Sequence, residues 1–116
     1  MIVGIGTDLC VIERFEEMLR RRPGIAERIL TPEERALPVQ SQAARFAAKE
    51  ALAKALGSPG GMSWLDAEVV RSEAGEPSFV VTGTVAERLA ELGITRIHLS
   101  VSHDGGFASA TVVCEA

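Results

Sequence analysis

Residues 44–57, read as ARFAAKEALAKALG, constrain this chain more than any other stretch. Ala, Leu, Lys, Glu and Arg fill the interior, and all are good helix formers. The segment reads as one long helix, with Ser41 as its N-cap and Gly57 as its stop, followed by Pro59. At about 100° per residue, Ala44, Ala48, Ala51 and Ala55 share one side and invite close approach by another backbone. Phe46, Leu52 and Leu56 cover much of the rest, so the helix is expected to be buried nearly all round. Lys49, Glu50 and Lys54 cut through that surface as a narrow charged strip. Charge in such a place is costly unless it is paired or used. Two readings stand: an i,i+4 pair of Glu50 with Lys54 on a solvated face, or a strip that does chemistry.

The remaining residues supply partners for this helix. With 116 residues, the chain is expected to form one domain spanning 1–116 with a modest core. Only 4% of residues are aromatic, so that core must be Leu, Val, Ile and Ala. No apolar run reaches membrane-spanning length, and strand-like sequence begins at Ile2, so no signal peptide and a cytoplasmic location are expected. Cys10 and Cys114 have no metal-type spacing and are expected to be free thiols. A net charge of −4 argues against nucleic acid as a partner.

Along the chain, residues 2–7 read as a strand buried on both faces, with Gly4 and Gly6 open to a second backbone or a ligand. Asp8 ends that strand, either as N-cap of the next helix or as a carboxylate placed for a metal. Residues 9–22 read as a helix with Ile12, Phe15 and Leu19 inward. Arg14, Met18 and Arg21 lie within about 60° of one another on a different face. That face is either solvated or suited to a partner with acidic groups around a small apolar spot. After the Pro23-Gly24 break and a short helical turn at 25–30, Thr31-Pro32-Glu33-Glu34 has the form of a capping box. A hairpin follows from 67–71 to 78–82 through a turn at 72–77. A helix at 83–92 stops at Gly93. Strands at 94–102 and 107–114 then flank a turn at 103–106 that carries His103 and Asp104.

Three of these segments resemble one family. FAAKEALAKALG at 46–57 looks like the signature helix of the 4′-phosphopantetheinyl transferases, an aromatic followed by Lys-Glu-Ala and a second Lys four residues after the Glu. Gly-Ile-Gly-Thr-Asp at 4–8 resembles the opening motif of the holo-acyl-carrier-protein synthase branch. Ser-Val-Ser-His-Asp at 100–104, with Ala-Ser-Ala after it, resembles the Ser-x-(Ser/Thr)-His segment. The lesser matches are Arg-Ile-Leu-Thr-x-x-Glu at 28–34 and Gly-x-Pro at 75–77.

The resemblance implies an α+β fold, a mostly antiparallel curved sheet packed on a long central helix, in a homotrimer with active sites at the subunit interfaces. It implies transfer of 4′-phosphopantetheine from coenzyme A to a serine of apo-acyl carrier protein in fatty acid or polyketide biosynthesis, releasing adenosine 3′,5′-bisphosphate. Asp8 and Glu50 would hold Mg2+, and Lys49 and Lys54 would balance phosphate charge. Arg45, Gly57, Pro77 and His103 would line the coenzyme site, and Arg14, Met18 and Arg21 would dock the carrier protein. The serine proton would go to Glu50, to a metal-bound water or to the His103-Asp104 pair. The chain departs from its relatives at Val11 and Cys10, where acidic residues stand in many synthases or in the larger transferases, so two protein ligands are expected. Two rivals are a coenzyme A-dependent acyltransferase with His103 as base and a trimeric interaction module without activity.

Overall fold

The computed structural model describes all 116 residues. Strand β1 (Ile2–Val11) leads into α1 (Ile12–Arg21), α2 (Ile25–Ile29), α3 (Pro32–Arg35) and the long α4 (Val39–Ala55). A 3-10 turn at Trp64–Asp66 opens the hairpin β2 (Ala67–Arg71) and β3 (Pro77–Val81), followed by α5 (Gly83–Leu92), β4 (Arg96–Asp104) and β5 (Phe107–Glu115). The antiparallel strands form a three-stranded sheet in the order β1-β5-β4 and a separate β2-β3 pair. This is the α+β arrangement expected. No helix is long and apolar enough to cross a membrane. Both cysteines are free.

Helix α4 is the centre of the core. Ala43, Ala44, Ala47, Ala48, Ala51, Leu52 and Ala55 are all buried on it. β1 crosses this Ala-rich side at backbone distance. A side chain added at Gly6 would run into the Ala51 carbonyl and the Ala55 amide, and one at Gly4 into the Ala55 carbonyl. Here glycine is required by close approach, as the small-residue pattern on both segments foretells.

Four boundaries differ from expectation, each for a tertiary reason. Ser41 is not the cap of α4: the helix starts at Val39, immediately after Pro38 (φ −57°), whose carbonyl accepts the first helical bond from the Gln42 amide. β1 does not end at Asp8 but continues to Val11, because β5 pairs with it as far as Val11↔Phe107. Asp8 therefore is no helix cap; α1 begins only at Ile12, whose amide donates to the Gly106 carbonyl at 3.0 Å. His103 and Asp104 belong to β4 rather than to its turn, since Gly105 and Gly106 (φ 57° and 85°) close a two-residue hairpin by themselves.

β1 is covered on one face only. Its α4 side is packed, whereas Ile2, Val3, Ile5 and Leu9 are exposed, with Phe107 of β5. Met1 and Ala116 meet at one end of the β1–β5 ladder: the Met1 amino group donates to the Ala116 carbonyl at 3.1 Å, and the Ala116 amide donates back to the Met1 carbonyl at 2.9 Å.

Candidate functional site

The close packing of β1 on α4 puts Asp8 beside the charged turn of that helix. Lys54 Nζ donates to the Thr7 carbonyl at 2.9 Å and to Asp8 Oδ1 at 3.2 Å. Lys54 thus pairs with Asp8 across the two elements; no ion pair forms between Glu50 and Lys54. Glu50 lies one turn before Lys54. Burial first, and the Asp8 charge second, raise its carboxyl pKa, while Lys54 pulls it down. Cys10, two residues beyond Asp8, senses the same negative field. Its thiol is pushed up to about 11 by burial, then by Asp8 and Glu50.

Two carboxylates that repel each other, with one half-exposed ammonium nearby, fit a hard divalent cation. The donors are oxygens, as Mg2+ prefers, and such an ion retains several waters. No three His, Cys, Asp or Glu side chains converge to enclose a metal alone. Asp8 and Glu50 are the side chains of this cluster that could hold such an ion.

Glu50 lines a cleft of about 590 Å³ between α1, α2, α4 and the segment at 62–65. Its apolar lining includes Met18, Ile25, Phe46 and Trp64, and Arg22 and Arg28 face it together with the carboxylates Glu27 and Glu50. Phe46 anchors this lining through ring contacts with Phe15 at 5.5 Å and Trp64 at 6.2 Å. On the adjoining surface of α1, Arg14, Met18 and Arg21 share a groove, as their spacing foretells. Arg21 is exposed and paired with Glu17 at 2.9 Å.

Lys49 requires a correction. Its side chain is 1% exposed, and its ammonium donates to Glu34 Oε1 at 2.6 Å, the Ile29 carbonyl at 2.8 Å and the Trp64 carbonyl at 3.2 Å. All three donors are occupied, so none is left for a coenzyme phosphate. Burial lowers the Lys49 pKa, opposed by the Glu34 hydrogen bond and charge. Glu34 is the residue that sequence reasoning missed as a partner. It was legible only as the last member of the capping box, which is formed.

Arg45 is also buried, and its Nε has no hydrogen-bond partner. Burial, then the charge of Arg71, lowers its pKa. Gly57 takes the left-handed conformation (φ 82°) after α4, where Arg88 Nε and Nη2 donate to the Leu56 carbonyl. Pro77 opens β3 opposite Arg71.

His103 and Asp104 sit elsewhere. They line a second cleft, of about 630 Å³, with Glu13, Glu16, Gln40 and Phe107. Within one chain, then, Glu50 and His103 line different clefts.

Comparison with known proteins places this geometry in context. A model of the 4′-phosphopantetheinyl transferase superfamily matches residues 4–112. A holo-[acyl-carrier-protein] synthase of Clavibacter michiganensis is 59% identical over 115 residues, covering 99% of this chain and 97% of that one. The crystal structure of the synthase from Neisseria meningitidis superposes with a TM-score of 0.90 at 38% identity, over 100% of both chains. The Helicobacter pylori synthase in complex with coenzyme A gives a TM-score of 0.84 at 35% identity, over 96% of this chain and 99% of that one.

Proposed function

This chain belongs to the 4′-phosphopantetheinyl transferase superfamily, and from that premise we propose a magnesium-dependent transfer of 4′-phosphopantetheine from coenzyme A to a serine of apo-acyl carrier protein. The products are the holo carrier protein and adenosine 3′,5′-bisphosphate, and the reaction serves fatty acid or polyketide biosynthesis in the cytoplasm. The whole of 1–116 acts as one transferase domain. The observation that carries the reading is the Asp8, Glu50 and Lys54 cluster, with Glu50 at a cleft that borders the basic face of α1.

Phosphoryl transfer needs positioning and charge neutralisation more than covalent help from the enzyme. Asp8 and Glu50 would hold Mg2+, which when bound would supply positive charge to the pyrophosphate of the coenzyme. Lys54 adds to that charge, its side chain being 51% exposed and free to turn from Asp8 to a phosphate. Arg45, Gly57 and Pro77 border the coenzyme. Phe46 and Trp64 give the side of the cleft near Glu50 an apolar lining. Glu50 is the candidate base that one chain brings to this cleft. The His103-Asp104 pair reaches it only from a neighbouring copy. A homotrimer with shared sites supplies that copy, and the exposed Ile5, Leu9 and Phe107 give the sheet an apolar surface for it. Light scattering that found the active species to be a monomer would reject the shared site.

Arg14, Met18 and Arg21 dock the carrier protein. The chain is acidic overall, so attraction to an acidic partner must come from this local stripe, within a Debye length of about 8 Å at physiological salt. Arg14→Glu and Arg21→Glu should each raise the apparent KM for carrier protein several-fold and leave that for coenzyme A nearly unchanged. The reversed variants should also respond less to added salt, because rim charges act mainly on association rate. Unchanged carrier kinetics in both variants would show the face to be merely solvated.

Mass analysis of apo-acyl carrier protein incubated with the enzyme, coenzyme A and Mg2+ tests the whole reading. A phosphopantetheine mass gain supports it. An acyl-only gain from acyl-coenzyme A favours the His103 acyltransferase, and no gain favours an interaction module.

A further inference from the structure

We propose that the buried Glu34–Lys49 pair is a positioning element that sets the separation of the walls around Glu50. The inference rests on the transferase reading but concerns residues that touch neither coenzyme nor metal.

Each partner of Lys49 lies on a different wall or its support. Ile29, at the end of α2, accepts at 2.8 Å, and α2 carries the cleft residues Ile25, Glu27 and Arg28. Trp64 accepts through its carbonyl at 3.2 Å and is itself a cleft residue. Glu34 extends the junction. Its Oε1 also accepts from the Thr31 amide at 2.9 Å, and its Oε2 from the Val69 amide of β2 at 2.9 Å. Two side chains, each 1% exposed, therefore tie α2, α3, β2 and the Trp64 turn to one point on α4. Glu50 is the next residue along that helix. No other hydrogen bond joins α2 to α4 or to the Trp64 turn. Without the ammonium, the walls would be held only by apolar packing and, further back, by the bonds of Glu34 to the Val69 amide and of the Thr31 hydroxyl to Glu68.

Stability alone does not account for such a pair. Two charges removed from water are often replaceable by apolar residues at no loss of stability. What apolar replacements do not reproduce is three directional bonds converging on one atom. The pair therefore trades strength for a defined spacing, which phosphoryl transfer needs, because small misplacements of reacting groups cost rate steeply.

Trp64 is the only tryptophan, so its fluorescence reports on the wall directly. In Lys49→Met/Glu34→Gln, which removes both charges, cooperative unfolding should persist. Acrylamide quenching of Trp64 should rise at least about twofold, and kcat/KM for coenzyme A should fall at least about tenfold, measured well below the melting temperature. Lys49→Arg keeps the charge but not the three-point geometry, and should lie between the double variant and wild type on both readouts. A folded double variant with wild-type quenching and wild-type kinetics would overturn the proposal. If the double variant does not fold, Lys49→Arg decides: wild-type values on both readouts would overturn the proposal, and intermediate values support it. The fluorescence arm needs no turnover, so a failure of the transferase reading itself is seen separately, as a wild-type enzyme that transfers nothing.

Discussion

Asp8→Asn and Glu50→Gln are each expected to lower phosphopantetheine transfer by roughly 10²–10³, the scale of losing one preorganised group that stabilises transition-state charge. Neither should unfold the protein. Asp8 and Lys54 form a partly exposed pair, and such pairs contribute little to stability. Glu50 and Asp8 repel each other, so neutralising either relieves strain on the other. A second readout is independent of activity. The Cys10 thiol, held at about 11 by burial and by Asp8 and Glu50, should titrate lower in Asp8→Asn. Thiol alkylation followed across alkaline pH measures this. Near-normal turnover in either variant at physiological Mg2+ would remove that residue from the metal site. Mixing after dissociation adds a test of the shared site: Asp8→Asn subunits reassembled with His103→Ala subunits should recover part of the lost activity if one site draws on two chains.

Gly6→Ala should be the most damaging single methyl group in the molecule. The new Cβ meets backbone atoms of Ala51 and Ala55, which cannot rotate away as a side chain can. Overpacking of a core commonly costs 1–3 kcal/mol, roughly, and here the upper end or beyond is expected because β1 or α4 must shift bodily. For a chain of this size that corresponds to a melting temperature lower by about 10 °C. The loss of activity should exceed the loss of folded protein. β1 carries Asp8 and α4 carries Glu50 and Lys54, so displacing one from the other opens the carboxylate pair. Titrating Mg2+ at a temperature where the variant is folded should show a raised requirement. A variant with wild-type melting behaviour would mean that the two backbones do not approach as closely as described.

These expectations divide according to how local their causes are. The helix at 44–57 was legible because its composition and its alanine side are local facts, and so was the Gly4 and Gly6 contact, whose two halves are written as small residues on two segments. The candidate site was legible as motifs, through Asp8, Glu50 and Lys54. Its wiring was not. The Glu34–Lys49 bond joins residues fifteen apart across two helix boundaries, and nothing in the periodicity of either segment shows that the Lys49 ammonium faces inward. The extent of β1 depends on β5, which is almost a hundred residues further along, and the placement of His103 depends on a hairpin closed by two glycines. Exposure of Ile5 and Leu9 was likewise hidden, because an apolar alternation reads the same whether a helix or a second subunit covers it.

The meeting of the chain ends makes the point of opening almost arbitrary. Met1 and Ala116 already exchange two hydrogen bonds, so a short flexible linker could join them without disturbing the register of β1 on β5. New ends could then be cut between Gly60 and Gly61, in an exposed glycine turn that precedes the cleft segment at 62–65, since exposed loop tips tolerate such breaks best. The rearranged chain would begin with the β2–β3 hairpin and finish with α4, making the helix that bears Glu50 the last piece to be synthesised rather than the middle one. Additions at Met1 and at Ala116, by contrast, would emerge side by side at one end of the β1–β5 ladder, so a bulky tag on one crowds the other.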